Sequence, residues 1–389
     1  MGRTNRRRIR NLKSFLFYLK DSIIEHRRRL SPCPHTVPTL LRKAPLSPSF
    51  ALISESTPYL SPETMKQTII LPCCAILAFF LVFNAVRAKA ENSAASEEAV
   101  VYFTSDISAE GLVRVYEKLV WQPQGDVAIK ISTGEPPASN YLHPELLGDL
   151  VKKLNGTIVE CNTAYGGSRS ESAMHRQVAK DHGYTKIAKF DLLDEEGEML
   201  IPINLPAGVT PHFKYDVVGS HFANYGSYLV ISHFKGHQMA GYGGAIKNIS
   251  IGLGSPKGKC LIHTGGKSDK SIWNGDQTDF TESMAETGKA VSDYLGGGER
   301  ITYINVMNRL SIDCDCNGNP AEPDIHDIGI LSSNDPVALD QACLDLVYRA
   351  EGNASLVRRI EERNGIHTVE HAEKIGLGRR AYRLVSIDE

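Results

Sequence analysis

The sequence predicts an α/β protein with a mixed, largely parallel central sheet that is flanked by helices and carries a small β-rich insertion. Short apolar runs alternate with amphipathic helical segments over most of the chain after residue 90, and the connections are short. Such alternation is typical of parallel β-α units around one sheet. In the middle of the chain the alternation stops, and three short apolar runs surround the turn Asp194–Gly197, which favours antiparallel pairing.

The individual elements follow from hydrophobic periodicity and from helix-start signals. Before the insertion, we expect strands at Ala99–Phe103, Asp126–Ser132 and Gly156–Cys161, and helices near Ala109–Val120, Pro144–Leu154 and Ser172–His182. The insertion contains the short strands Ile187–Leu193, Met199–Ile203 and His212–Val218. After it we expect strands at Tyr228–Ser232, Arg300–Asn305 and Ile328–Leu331, and helices at Phe280–Tyr294, Pro336–Ala350 and Ser355–Asn364. Residues 91–389 therefore form a single α/β domain.

The N-terminal part of the chain has the composition of a leader. Residues 1–64 hold twelve Lys/Arg against four Asp/Glu and end in a Pro/Ser-rich stretch, so we interpret them as disordered or as a mis-assigned start. From Met65, one lysine is followed by the apolar run Thr68–Phe83 and by Ala88-Lys89-Ala90, the three parts of a secretory signal peptide at 65–90. We therefore expect export, to the periplasm, with no transmembrane segment after cleavage; a retained anchor is the alternative.

Charge and cysteine content narrow the function classes. The full chain has a formal charge of −2; residues 1–64 carry +8 and the signal segment +3, so residues 91–389 carry −13. This acidic balance argues against nucleic acid and anionic membrane as partners, because binding to either relies on a basic face. The mature part has an odd number of cysteines, so no disulfide framework can be derived: Cys161, Cys260, Cys314, Cys316 and Cys343.

The stretch Ser232–Gly254 is the strongest candidate for a functional site. It combines two histidines, two lysines and an asparagine with six glycines, and this composition suits neither a packed helix nor a strand. Its polar side chains donate hydrogen bonds or carry positive charge, so they suit an anionic ligand. We take His237 and Lys247 as the candidate catalytic residues.

Polar residues recur after the predicted strands, where open α/β sheets bind ligands. Four such loops would build one pocket for a small anionic ligand. The candidate ligand-binding residues are Lys130, Thr133 and Glu135 after the second strand, Asn162, Thr163 and Arg169 after the third, and His233, Lys235, Gly243, Gly244 and Asn248 in the central stretch.

The fourth loop, Asp313–Gly318, supports three interpretations. Cys314 and Cys316 could bind a soft metal ion as thiolates, with Asp313 and Asp315 as further ligands. The spacing of oxygen side chains also matches the opening of a calcium loop, and a tight turn with two oxidisable thiols is the third possibility. His233 and His237 are four residues apart, as in helical metal sites, but the glycines argue against a helix there.

Three motifs together resemble the DUF362 family, a domain of unknown function. They are Asn162-Thr163-Ala164-Tyr165-Gly166-Gly167-Ser168-Arg169, the stretch from Gly236-His237 through Gly243-Gly244-Ala245-Ile246-Lys247-Asn248, and Asp335-Pro336-Val337-Ala338-Leu339-Asp340. The resemblance implies no settled activity, although relatives often carry a ferredoxin-like segment. Where such an insert tends to occur, the run Ser255–Trp273 has only Cys260. We therefore expect no intrinsic ferredoxin-type iron–sulfur cluster.

Two classes of function remain open from the sequence. One is an enzyme or redox accessory that holds a metal ion or a small anionic cofactor around His237 and Lys247. The other is a non-catalytic periplasmic binding protein for a small anionic ligand. The sequence identifies neither a protein partner nor a reaction.

Overall fold

Residues 98–388 are the part of the chain described by the structure, which is a computed structural model. The predicted segments 1–64 and 65–90 lie outside the described residues. Within residues 98–388, no helix is both long enough and apolar enough to span a lipid bilayer.

An eight-stranded sheet organises the described residues, with strand order β12-β1-β11-β10-β7-β2-β3-β4. Within this sheet β11 is antiparallel to both of its neighbours, and the other pairs are parallel. Two small two-stranded sheets, β5-β6 and β8-β9, lie outside it. The strands are β1 (Ala99–Thr104), β2 (Val127–Lys130), β3 (Thr157–Glu160), β4 (Phe190–Leu192), β5 (Glu198–Pro202), β6 (Tyr215–Gly219), β7 (Ser227–His233), β8 (Lys235–His237), β9 (Gly241–Gly243), β10 (Ile301–Met307), β11 (Gly329–Ser333) and β12 (Tyr382–Ser386).

Helices cover the sheet. Strands β2, β7, β10 and β11 are buried along their whole length, as expected for strands that are covered on both faces. The helices are α1 (Ala109–Glu117), α2 (Pro144–Lys153), α3 (Ser172–Asp181), α4 (Ala245–Ser250), α5 (Pro256–Thr264), α6 (Gln277–Tyr294), α7 (Pro336–Arg349), α8 (Ala354–Glu362) and α9 (Ile366–Lys374), with short 3-10 helices at Tyr184–Lys186 and Ser220–Asn224.

The apolar faces of α1 and α2 build the larger core on one side of the sheet. Leu112 of α1 and Leu147 of α2 belong to one buried cluster with Ile129 of β2 and Ile304 of β10. These side chains recur at helical spacing in the sequence, which is why both helices were predictable. The predicted α/β class with a largely parallel sheet is confirmed.

The predicted insertion is smaller than expected. The segment at Ile187–Leu193 was expected to pair antiparallel with the two strands after it, but β4 joins the edge of the main sheet, parallel to β3. The connection through α3 explains this, because a helical crossover returns the chain in the parallel direction. Only β5 and β6 form the antiparallel pair.

The glycine-rich stretch is more regular than its composition suggested. The prediction that it suits neither helix nor strand is wrong, because it forms the β8-β9 hairpin and helix α4. Gly241, with φ of 81°, allows the return into β9. The carboxylate of Asp340 on α7 accepts hydrogen bonds from the backbone N–H groups of Ala245 and Ile246, at 2.7 and 3.0 Å. A distant residue therefore supplies the cap that the local sequence lacks.

The connection from β10 to β11 positions the cysteine loop. Residues 308–328 contain no helix or strand, and the chain returns antiparallel instead of crossing over the sheet. The loop therefore lies at the edge where β2, β3 and β7 also end. The segments α5, α9 and β12 were not predicted from the sequence.

Candidate functional site

A cavity of about 450 Å³ lies at the C-terminal ends of β2, β3, β7 and β10. These four strands are adjacent in the sheet, so the loops that follow them meet there. Five cationic side chains line the cavity against two anionic ones, Glu160 and Asp315. The cationic residues are Lys130, Arg169, Lys235, Lys247 and Lys259.

Asp315 forms a buried ionic network on the side of the cysteine loop. Its Oδ1 lies 2.8 Å from Nδ1 of His233, and its Oδ2 accepts a hydrogen bond from Nζ of Lys235 at 2.7 Å. Burial alone would raise the pKa of this carboxyl, but the charges of Lys235 and His233 hold it well below its usual range. Nε2 of His233 faces the carbonyl oxygen of Asn308 at 2.7 Å. Both ring nitrogens of His233 thus face oxygen atoms that can accept a hydrogen bond.

Arg169 forms the opposite wall of the cavity. Its guanidinium is 3% exposed and donates to Glu135 at 3.0 Å, to Glu160 at 3.3 Å and to the Tyr165 hydroxyl at 2.8 Å. Burial tends to raise the pKa of Glu160, but the hydrogen bond from His175 and the charge of Arg169 hold it well below its usual range. Two carboxylates therefore share Arg169, which joins the loops after β2 and β3.

Lys130 and Lys247 bring positive charge into the cavity without a carboxylate partner. Nζ of Lys130 donates to the carbonyl oxygen of Ile131 and to Oδ1 of Asn248 at 2.9 Å, and burial lowers its pKa to about 8. Nζ of Lys247 forms no hydrogen bond or ion pair with the residues described here. Burial, and after it the charges of Lys235 and Lys130, lower the pKa of Lys247 to about 7.

His237 presents a hydrogen-bond donor to the cavity. Its Nδ1 accepts from the backbone N–H groups of Ala240 at 2.9 Å and Met239 at 3.2 Å. Burial, and then the charge of Lys247, lower the pKa of His237 well below its usual range, so the ring is neutral at pH 7. Because Nδ1 is an acceptor, the single proton lies on Nε2.

Cys314 and Cys316 line the same cavity and form a disulfide. Ligand atoms of His237, Cys314 and Cys316 lie within 4.8 Å of one another, so this group could hold a metal ion after reduction. Asp313 and Asp315 do not join this group: Oδ2 of Asp313 accepts from the backbone N–H of Ala321 at 3.0 Å, and Asp315 is bound to His233 and Lys235.

The structure brings most of the sequence-predicted residues to the cavity. The lining residues among them are Lys130, Thr163, Arg169, His233, Lys235, His237, Gly243, Gly244, Lys247, Asn248, Cys314, Asp315 and Cys316. Thr133, Glu135 and Asn162 lie behind the wall instead. Thr133 donates to Glu160 at 2.6 Å through its hydroxyl, Glu135 pairs with Arg169, and the Asn162 side chain contacts Ser172 at 2.9 Å.

Sequence reasoning missed several residues of the site. Glu160 closes a buried apolar strand, and a charged residue at that place was a usable signal. Lys259 and His263 lie four apart on α5, whose start is marked by the Ser255 cap followed by Pro256. Burial lowers the pKa of His263 to about 4, so this residue adds a neutral ring to the cavity.

Fold and cavity together define an α/β protein with a basic pocket at the ends of parallel strands. The chain belongs to the DUF362 family, described as a domain of unknown function, whose model matches residues 127–345. The three motifs of the resemblance lie within this range. Asp340 of the third caps α4, which carries Lys247 of the second, and Arg169 of the first lines the same cavity as Lys247.

Two solved structures show remote similarity. One is the lactate racemase apoprotein from Thermoanaerobacterium thermosaccharolyticum, at 14% identity and a TM-score of 0.39, with 64% of this chain and 57% of that chain covered. The other is a protein from Thermotoga maritima, at 12% identity and a TM-score of 0.33, with 69% and 58% covered. The chain thus spans less than two thirds of either protein. No curated protein sequence matches it.

Proposed function

We propose that the protein binds a small molecule with a carboxylate, phosphate or similar anionic group in the cavity at the strand ends. The excess of positive charge supports this most directly, with five cationic side chains against two anionic ones around about 450 Å³. Pockets of this size hold small molecules. An ammonium group that is withdrawn from water without a counter-ion is costly, so an anion in the cavity would be favourable.

Lys247 is the residue that would contact the anion. Arg169 and Lys235 are already paired with carboxylates, whereas Lys247 has no such partner among the described residues. With a pKa of about 7, its amine exchanges a proton near neutral pH, which is the property required of a general acid or base. The Nε2 proton of His237 would orient the ligand as a neutral donor.

Intrinsic fluorescence offers a direct test. The chain has two tryptophans, and Trp273 lines the cavity at 61% exposure whereas Trp121 is buried. Titration with sulfate, phosphate, acetate or malonate should change the emission until it saturates, with a reproducible midpoint concentration for the anion that binds. Lys247→Met should weaken binding about tenfold to a hundredfold, because a charge-assisted hydrogen bond contributes about 1.5–3 kcal/mol.

Lys257→Met is the matched control. Lys257 lies on the exposed face of α5 and does not line the cavity, so its variant should bind like the wild type. Equal weakening in both variants, or no saturable binding of any of the four anions, would contradict the proposal. An enzyme and a non-catalytic binding protein would behave alike in this titration; NMR of the recovered ligand shows whether it has been converted.

A soft-metal site is the second candidate, because His237, Cys314 and Cys316 converge. Metal binding would require reduction of the disulfide, and it would require a lone pair on the histidine nitrogen that faces the thiolates. The hydrogen bonds to Nδ1 of His237 place the proton on Nε2 and so disfavour binding through Nε2. Elemental analysis of the reduced protein tests this second candidate, with the double variant Cys314→Ser/Cys316→Ser as the comparison. If the wild type holds stoichiometric metal and the double variant does not, the soft-metal site is supported.

We also propose that the protein is exported and resides in the periplasm. The leader composition at 65–90 and the disulfide between Cys314 and Cys316 support this, since such bonds persist in oxidising compartments. Cell fractionation followed by mass spectrometry should find a mature chain that begins at Glu91. A cytosolic chain that retains residues 65–90 would refute the proposal.

A further inference from the structure

A second group of polar side chains lies on helices α6 and α9, away from the cavity lining. Glu282 and Glu286 are four residues apart on α6, and His367 and His371 are four residues apart on α9. His212, from the segment before β6, completes the group. Residues four apart lie on one face of a helix, so both pairs point into the contact between the helices. We call these five residues the His/Glu cluster.

One carboxylate of this cluster meets three imidazoles. Glu282 Oε1 lies 3.0 Å from Nε2 of His367 and 3.3 Å from Nδ1 of His371. Its other oxygen, Oε2, lies 3.0 Å from Nε2 of His212. Ligand atoms of Glu282, His367 and His371 all lie within 4.8 Å of one another. Tetrahedral zinc with ligands at about 2.0–2.2 Å places ligand atoms about 3.3 Å apart, so these separations suit the ion.

His371 is the buried residue of the cluster that lacks a hydrogen-bond partner. The residue is 3% exposed, and neither of its ring nitrogens forms a hydrogen bond within the described residues. A buried imidazole without hydrogen bonds loses its solvation without compensation. Its Nδ1 faces Glu282, while its Nε2 lies 3.5 Å from Oε1 of Glu286. This is the arrangement in which one nitrogen binds a metal ion and a carboxylate orients the other.

We propose that the His/Glu cluster binds a divalent zinc ion through Glu282, His367 and His371. Two imidazoles and a carboxylate suit zinc, and a solvent molecule can take the fourth tetrahedral position. Glu286 is 1% exposed and orients His371, because its Oε1 lies 3.5 Å from Nε2 of that ring. His212 lies against the second oxygen of Glu282 and orients this carboxylate. The ion joins α6 and α9.

The role of this ion is structural. The sequence His367-Thr368-Val369-Glu370-His371 has the His-x-x-Glu-His spacing of some zinc peptidases. Glu370, however, lies 3.5 Å from the guanidinium of Arg380 at 48% side-chain exposure, outside the set of ligands. The proposal therefore includes no hydrolytic step.

The test uses the full chain, loaded with zinc and freed of excess by gel filtration. We expect one zinc per chain and a higher unfolding temperature, because an ion that binds only the folded state stabilises it. His367→Ala should weaken zinc binding at least about tenfold. His367 is 26% exposed, so this variant should still fold, as circular dichroism would show. His326→Ala, at an exposed site, is the control and should bind as the wild type does.

Two further measurements keep this site distinct from the cavity. Cys314→Ser/Cys316→Ser should retain the ion, because the His/Glu cluster contains no cysteine. X-ray absorption at the zinc edge should show nitrogen and oxygen neighbours at about 2.0 Å and no sulfur at about 2.3 Å. The proposal would be overturned if the wild type retained no zinc, or if His367→Ala left the zinc content unchanged. Loss of zinc in the cysteine variant would overturn it as well.

Discussion

Asp315 gives the sharpest prediction for stability. Its carboxylate is 3% exposed and serves two partners, Lys235 at 2.7 Å and His233 at 2.8 Å. Asp315→Asn removes the charge while keeping the size, and it leaves the buried ammonium group of Lys235 without its counter-ion. Breaking a buried pair in this way costs about 3–5 kcal/mol. We therefore expect Asp315→Asn to lower the free energy of unfolding, measured by urea denaturation at pH 7, by that amount.

Asp313→Asn is the matched control for this measurement. The Asp313 carboxylate accepts one exposed hydrogen bond, from the backbone N–H of Ala321 at 3.0 Å, so its loss should cost about 1 kcal/mol or less. Because the folded-state pKa of Asp315 is depressed, its stabilisation is present above the unfolded pKa of about 3.9 and disappears as the pH falls below it. The difference between wild type and Asp315→Asn should therefore shrink below pH 4. Equal costs for both variants would refute the reasoning.

Three further predictions concern residues that support the cavity: the cap of α4 and the disulfide between Cys314 and Cys316. Gly244→Ala should destabilise the protein and weaken anion binding, because a Cβ there would overlap the Asp340 carboxylate that caps α4; thermal unfolding and sulfate titration report both effects. Asp340→Ala removes two backbone hydrogen bonds and one from Asn305, so we expect urea unfolding to show a loss of about 2–4 kcal/mol. Reduction with dithiothreitol should make the partly buried Cys316 react with a thiol reagent before the buried Cys161 does.

The sequence predicted which loops meet at the cavity. Loops after buried apolar runs meet at one edge of a parallel sheet, and this rule placed His237, Lys247, Arg169 and Asp315 together. Each of these side chains lines the cavity. The rule depends on strand direction alone, and strand direction follows from the alternation of strands and helices.

The sequence could not predict features of the site that depend on contacts between segments far apart in the chain. Thr133 and Glu135 are polar loop residues like Arg169, but sequence does not show that their hydrogen bonds go to neighbours behind the wall. Helix α4 was missed because its cap, Asp340, lies on α7. The four-residue spacing of His367 and His371 can be read from the sequence, but the packing of α9 against α6 cannot.

The affinity for sulfate as a function of pH tests the account most directly. Sulfate keeps its charge between pH 5 and pH 9, so changes in binding report on the protein. An anion raises the pKa of Lys247 above its free value of about 7, so binding should be strongest below pH 7 and weaken at higher pH, by up to tenfold per pH unit. Lys247→Met should be weaker at pH 6 and lose much of this slope. A wild-type affinity that stays constant from pH 6 to pH 8.5, or a slope that is unchanged in Lys247→Met, would contradict the account.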